Sequence, residues 1–201
     1  MIAGVVLAAG ASRRFDAGDG LQKLVAAAAG KPVVRWTVER VLASRVDDVV
    51  VVTGHARHAV RAALAGLDVR LVDNPHFASG LGASLEAGIG ALPPATTGAV
   101  VALGDQPTVS TAVIDALIAA WHERRMPVVA PLYRGVRGNP VLFAASLFAE
   151  LRGVAGDQGA REIIMRSPER VTLVDVDADM PLDVDDRASL DAVERFLAAH
   201  R

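Results

Sequence analysis

The chain has 201 residues, 52% of them apolar and 22% charged, with a net charge of −2. This is one α/β domain's worth of sequence, and it excludes a disordered or collagen-like chain. The lack of cysteine excludes disulfides, thiolate metal sites and a thiol nucleophile, and one Tyr with two Trp is too few for a nucleic-acid stacking surface. The near-neutral charge also argues against a nucleic-acid partner, and no apolar run approaches the length of a membrane span. No basic residue precedes the first apolar run, as a signal peptide would require, so the expected location is the cytoplasm.

In chain order, strands are expected at Ala3–Leu7, Asp48–Val52, Val69–Val72, Gly98–Leu103, Pro127–Ala130, Pro140–Phe143 and Val171–Val176. Three of these are unbroken Val-rich runs, the pattern of parallel strands covered on both faces. Helical spacing falls between them: Val34, Val38, Val41 and Leu42; Val60, Ala63 and Leu64; Leu81–Leu92; Thr111–Glu123; Ala160–Met165; and Arg187–Ala199 with Leu190, Val193 and Leu197 on one stripe. Alternation of this kind predicts a three-layer α/β sandwich with a mainly parallel, Rossmann-like sheet. Tyr133–Phe143 interrupts it and reads as a hairpin. No linker marks a domain boundary.

The loop after the first strand, Leu7-Ala8-Ala9-Gly10-Ala11-Ser12-Arg13-Arg14, combines small residues with two arginines, and Lys23 follows. Small residues let backbone N–H groups converge on an anion, and the cations favour a triphosphate. Neither a P-loop nor a complete dinucleotide fingerprint is present. Asp105, in Gly104-Asp105-Gln106-Pro107 after a Val-rich strand, reads as a magnesium ligand or as a turn aspartate. Asn74–Leu85 runs through Gly80, Gly82 and Ser84 into a helix, giving free N–H groups and hydroxyls at its start, or simple capping. The Asp157 turn opening a helix, with Arg161 one turn in, could bind an acidic ligand, although the residues alone favour Asp157 as a plain helix cap. Asp183-Val184-Asp185 precedes the last helix, which Asp186 alone could cap.

LAAGxSxR followed by a lysine resembles the signature of the nucleotidyltransferases that act on molybdenum cofactor, in particular the cytidylyltransferase branch. GDQP, NPxxxxGxGxSL, the GNPVLF stretch, GDxGAR and DVD follow in that family's order, so the resemblance spans nearly the whole chain. One departure is Asp16–Asp19, inserted before Gly20-Leu21-Gln22-Lys23.

The resemblance implies a sheet of the nucleotide-diphospho-sugar transferase type and one domain over 1–201, with 1–110 mainly nucleotide-binding and 111–201 mainly acceptor-binding. It implies transfer of CMP from CTP to the terminal phosphate of molybdenum cofactor, releasing pyrophosphate. Arg14, Lys23 and Asp105 would be catalytic. Leu7, Ala8, Ala9, Gly10, Ser12, Gly80, Gly82 and Ser84 would bind the nucleotide. Asn139, Asp157 and Arg161 would bind the molybdopterin-type acceptor, and Asp105 and Asp185 would hold Mg²⁺. Ala9, where the guanylyl branch has glycine, favours CTP, with GTP as the alternative. A molybdenum hydroxylase would receive the product. Two readings of other kinds remain open: a cofactor carrier without turnover, and an oxidoreductase on the same fold.

Overall fold

A computed structural model describes residues 1–11, 15, 22–156 and 159–200. Its elements are β1 (Ile2–Ala8), β2 (Ala27–Ala28), β3 (Lys31–Pro32), α1 (Val33–Leu42), β4 (Asp48–Thr53), α2 (Arg57–Ala63), β5 (Arg70–Asp73), α3 (Leu81–Gly90), β6 (Gly98–Leu103), α4 (Thr111–Arg124), β7 (Val128–Tyr133), β8 (Val136–Arg137), β9 (Val141–Ala144), α5 (Phe148–Arg152), α6 (Arg161–Arg166), β10 (Val171–Val176) and α7 (Arg187–Ala199). The central sheet runs β10-β7-β9-β6-β1-β4-β5, with β8 also paired to β7.

The Val-rich strands occupy its middle. All seven residues of β1 are buried, and β4 and β6 each bury five of six. Alternate side chains of one strand feed opposite cores. Val6 and Ala8 pack with α1, α2 and α4 through residues such as Val38, Val60 and Leu117. Val5 and Leu7 pack on the other face with α3, α5 and α6 through Leu85, Leu151 and Ile164. This is the three-layer sandwich that the alternation of elements predicts. A third, smaller cluster joins Phe15 and the β2–β3 ribbon to α7 through Val193 and Leu197.

Strand order reverses between β1 and β6. The chain moves from β1 to β4 and β5 on one side, then returns to place β6 on the other, all parallel. Open α/β sheets bind ligands at such a switch point, outside the strands' carboxyl ends. Leu7 lies opposite Leu103 in register, so the loop after β1 and Gly104-Asp105 emerge side by side.

The expected hairpin takes a more specific form. Arg134 and Gly135, both with positive φ, turn the chain so that Tyr133 pairs with Val136 and Leu132 with Arg137. Farther along, Val129 pairs with Leu142 and Val128 with Phe143. Between these pairings the return strand places Gly138–Val141 opposite only Ala130 and Pro131, so it bulges. Past the bulge, β9 inserts between β7 and β6, antiparallel to both.

Candidate active site

Lys23 is the centre of the site at the switch point. Its Nζ donates to Asp105 Oδ2 at 2.5 Å and to Asp185 Oδ1 at 3.4 Å. The Lys23 and Asp105 side chains are 14% and 20% exposed, against 41% for Asp185, so the inner pair is the better shielded from solvent. Each residue has a local reason for its position. Lys23 opens a single 3-10 turn, Lys23–Val25, anchored by buried Leu24. Asp105 follows β6, where Gly104 N–H donates to the Leu7 carbonyl at 2.9 Å. Asp185 arrives on an extended segment bound to the 105–108 turn: Val184 N–H donates to the Asp105 carbonyl at 3.0 Å, and Leu182 N–H to Thr108 Oγ1 at 2.8 Å.

Among the C-terminal acids the structure separates roles that the sequence leaves mixed. Asp186 accepts from Ser189 N–H at 2.8 Å in a capping box and starts α7. Asp179 pairs with Arg134 at the surface. Asp185 alone of the run forms a salt bridge with Lys23. Asp183, not singled out by its sequence context, accepts from Gln106 Nε2 at 2.9 Å. Burial raises its carboxyl above the ordinary range. Gln106 opposes this, the nearby Asp105 and Asp185 charges add to it, and Lys23 counters them.

Asp105 and Asp185 thus converge on one cationic position. Two hard carboxylate donors sharing a cation suit a small divalent ion whose remaining ligands are water and phosphate oxygens. Among the described residues no group of three or more His, Asp or Glu could hold a metal by itself.

Two cavities flank this point. One, of about 460 Å³, is lined by Leu7, Ala8, Ala9, Gly10, Ala11, Lys23, Asp105, Gly80 and Ser84, with Phe77 and Leu24. The other, of about 400 Å³, is lined by Leu85, Val101, Val141, Phe143 and Ile164, with Arg137, Asn139 and Arg161. Leu7, Leu81 and Leu103 belong to both. The two arginines form no hydrogen bond or ion pair among the described residues.

Gly80, with φ 101°, makes the turn into α3 that a side chain would resist. Ser84 Oγ accepts from Asn74 Nδ2 at 3.1 Å in a buried contact, leaving its own O–H as a donor. Gly82 differs from the expectation of a free N–H at a nucleotide. It lines neither cavity, and its N–H is already given to the Gly156 carbonyl at 2.9 Å. A Cβ there would stand 2.4 Å from the Val154 carbonyl oxygen, so the glycine is required by close backbone packing. Ser12, Arg14, the Asp16–Asp19 insertion and Asp157 lie outside the described residues. Arg137 is the cavity residue that the site reading missed. It sits inside a segment whose family resemblance begins at the glycine after it.

The order of strands, with the site at their reversal, defines a Rossmann-like, mainly parallel α/β fold. Residues 4–171 match the MobA-like NTP transferase domain, and the chain belongs to that family of nucleotidyltransferases. It is 32% identical over 182 residues to nicotine blue oxidoreductase of Paenarthrobacter nicotinovorans, covering 87% of this chain and 86% of that one. Rv0371c of Mycobacterium tuberculosis H37Rv is 30% identical with a TM-score of 0.85 over 96% and 97% of the two chains. That protein is also known as a manganese complex, matching at 28% identity and a TM-score of 0.79 over the same shares. A nucleotidyl transferase from Methanothermobacter thermautotroptrophicus, Mth528, is 27% identical with a TM-score of 0.83 over 100% and 99%. Among the described residues no helix is long and apolar enough to cross a membrane.

Proposed function

We propose that the protein transfers CMP from CTP to the terminal phosphate of molybdenum cofactor, releasing pyrophosphate. The observation that carries this reading is the pair of adjoining cavities, one lined by Lys23 and Asp105, with Asp185 paired to Lys23, the other lined by Arg137 and Arg161. Residues 1–110 mainly serve the nucleotide and 111–201 mainly the acceptor. A soluble transferase of the cytoplasm, handing product to a molybdenum hydroxylase, fits this chemistry.

The acceptor phosphate oxygen forms a bond to the α-phosphorus, and the bond from that phosphorus to the bridging oxygen breaks. No protein nucleophile is needed, so the chain contributes positioning and charge. Leu7, Ala8, Ala9 and Gly10, with Ser12, present small residues and backbone to the nucleotide. Gly80 and Ser84 form the opposite wall. Lys23 exchanges its carboxylate partners for phosphate oxygens and, with Arg14, takes up the charge growing on pyrophosphate. Asp105 and Asp185 hold Mg²⁺, which when bound neutralises the phosphates. Arg161, Asn139 and Arg137, together with Asp157, hold the acceptor. The Ala9 methyl disfavours a purine.

Pyrophosphate release with Mg²⁺ and purified molybdenum cofactor, compared for CTP, GTP and ATP, tests the reading. Release with CTP alone is expected. Release with GTP would keep the reaction and overturn the role given to Ala9. A second reading, an oxidoreductase, is favoured by the 32% identity to nicotine blue oxidoreductase. NAD(P)H consumption without Mg²⁺, and no pyrophosphate with any nucleotide, would select it.

A further inference from the structure

We propose that Tyr133 is a positioning residue that fixes the acceptor side of the site by pinning the bulge between β8 and β9. The inference rests on the second cavity being the acceptor pocket. Tyr133 is the chain's only tyrosine and is 3% exposed. It lines neither cavity. Its hydroxyl donates to the Asn139 carbonyl at 2.6 Å. A buried phenol needs such a partner, and here the partner is the middle of the bulge. The same ring lies against Gly138, where a Cβ would stand 2.8 Å from the ring carbon Cε2. Gly138 N–H is held from the other strand by the Pro131 carbonyl at 3.2 Å.

Three successive residues, Arg137, Gly138 and Asn139, line the pocket on one side; Arg137 is held by its pairing with Leu132, and Gly138 and Asn139 are backed by the Tyr133 side chain. Bulges re-aim side chains, and their aim is only as good as their anchoring. Pro140 has no N–H with which to tie the bulge to a neighbouring strand. Removing the phenolic oxygen frees the Asn139 carbonyl and with it the placement of Asn139 in the bulge that follows Arg137. The nucleotide cavity, which contains no residue of this hairpin, is unaffected.

The test is steady-state kinetics of Tyr133→Phe and Gly138→Ala with both substrates varied, alongside Arg161→Ala. Each is paired with equilibrium binding of molybdenum cofactor in the absence of nucleotide. Tyr133→Phe is expected to raise KM and Kd for the acceptor about fivefold, the scale of one hydrogen bond, with KM for the nucleotide unchanged. Gly138→Ala, which pushes the ring from the bulge without touching the hydroxyl, is expected to move the same constants. If Arg161→Ala weakens the acceptor while Tyr133→Phe and Gly138→Ala leave it unchanged, the pocket reading stands and the proposal falls. If none of the three moves acceptor binding, the pocket reading itself falls and takes the proposal with it. If Tyr133→Phe weakens acceptor and nucleotide equally, Tyr133 is structural only and the proposal is overturned.

Discussion

The two cavities share a wall of three leucines, yet they handle charge in opposite ways. In the first, the cation is already satisfied: Lys23 is held by Asp105 and Asp185. On the other side Arg137 and Arg161 line a pocket of apolar side chains with no acidic partner among the described residues. A paired site acts by exchanging partners, and its strength is felt when phosphates and metal compete for the same groups. An unpaired site leaves its cations to water, so an anion that enters displaces water and no protein partner. The contrast explains why one compartment is built from small residues that bring backbone close, and the other from large side chains that set shape.

The largest effect should come from unbalancing the paired side. Asp105→Ala is expected to lower metal-dependent turnover by about 100-fold or more, with little change in melting temperature, since the contact to Val184 uses the Asp105 backbone. Near-normal turnover would remove Asp105 from the mechanism. Next, Arg161→Ala should raise the acceptor KM about tenfold while leaving the nucleotide KM alone, the scale of losing a hydrogen bond to a charged group. Equal shifts in both would mean the two compartments do not divide the substrates. Gly82→Ala tests the wall between them. The 2.4 Å approach to Val154 forces α3 and the 154–156 loop apart, and a loss of about 1–3 kcal/mol in urea unfolding is expected.

The smallest effect lies outside both compartments, on α1. Burial acts to raise the Glu39 carboxyl, but hydrogen bonds from Lys31 at 2.6 Å and Arg35 at 2.8 Å, with their charges, outweigh it and hold the group below the usual range. A depressed carboxyl contributes stability above its unfolded value, about 4.3, and loses it as pH falls through the folded one. Glu39→Gln should therefore melt slightly lower than the parent at pH 7, and the difference should close on acidification toward pH 3. A difference that persisted at low pH would assign the effect to packing.

Much of this was legible in the residues. Continuous valine runs announced strands covered on both faces, and Gly98–Leu103, Val171–Val176 and Arg187–Ala199 match their elements end for end. Periodicity carries no signal for direction, so the antiparallel insertion of β9 was not readable. Two-residue strands and the five-residue α5 are too short to show a period at all. At the site, Lys23 stood out beside the arginines of the first loop, whereas Asp105 was raised above a turn aspartate only by the resemblance of GDQP. Asp185 was one acid among several, and only the docking of 182–184 on 105–108 turns it toward Lys23. Gly82 misled because close packing and close ligand approach ask for the same residue. Tyr133 gave no signal, since its partner is a carbonyl.

The shared leucines also bear on what happens after the bond is made. Each substrate of the proposed reaction occupies one compartment, whereas the product is a single molecule tethered in both, across Leu7, Leu81 and Leu103. Joining two ligands turns the second contact into an intramolecular one with a high effective concentration. Under the proposed reaction the product would be held more tightly than either substrate, and its departure would set the pace.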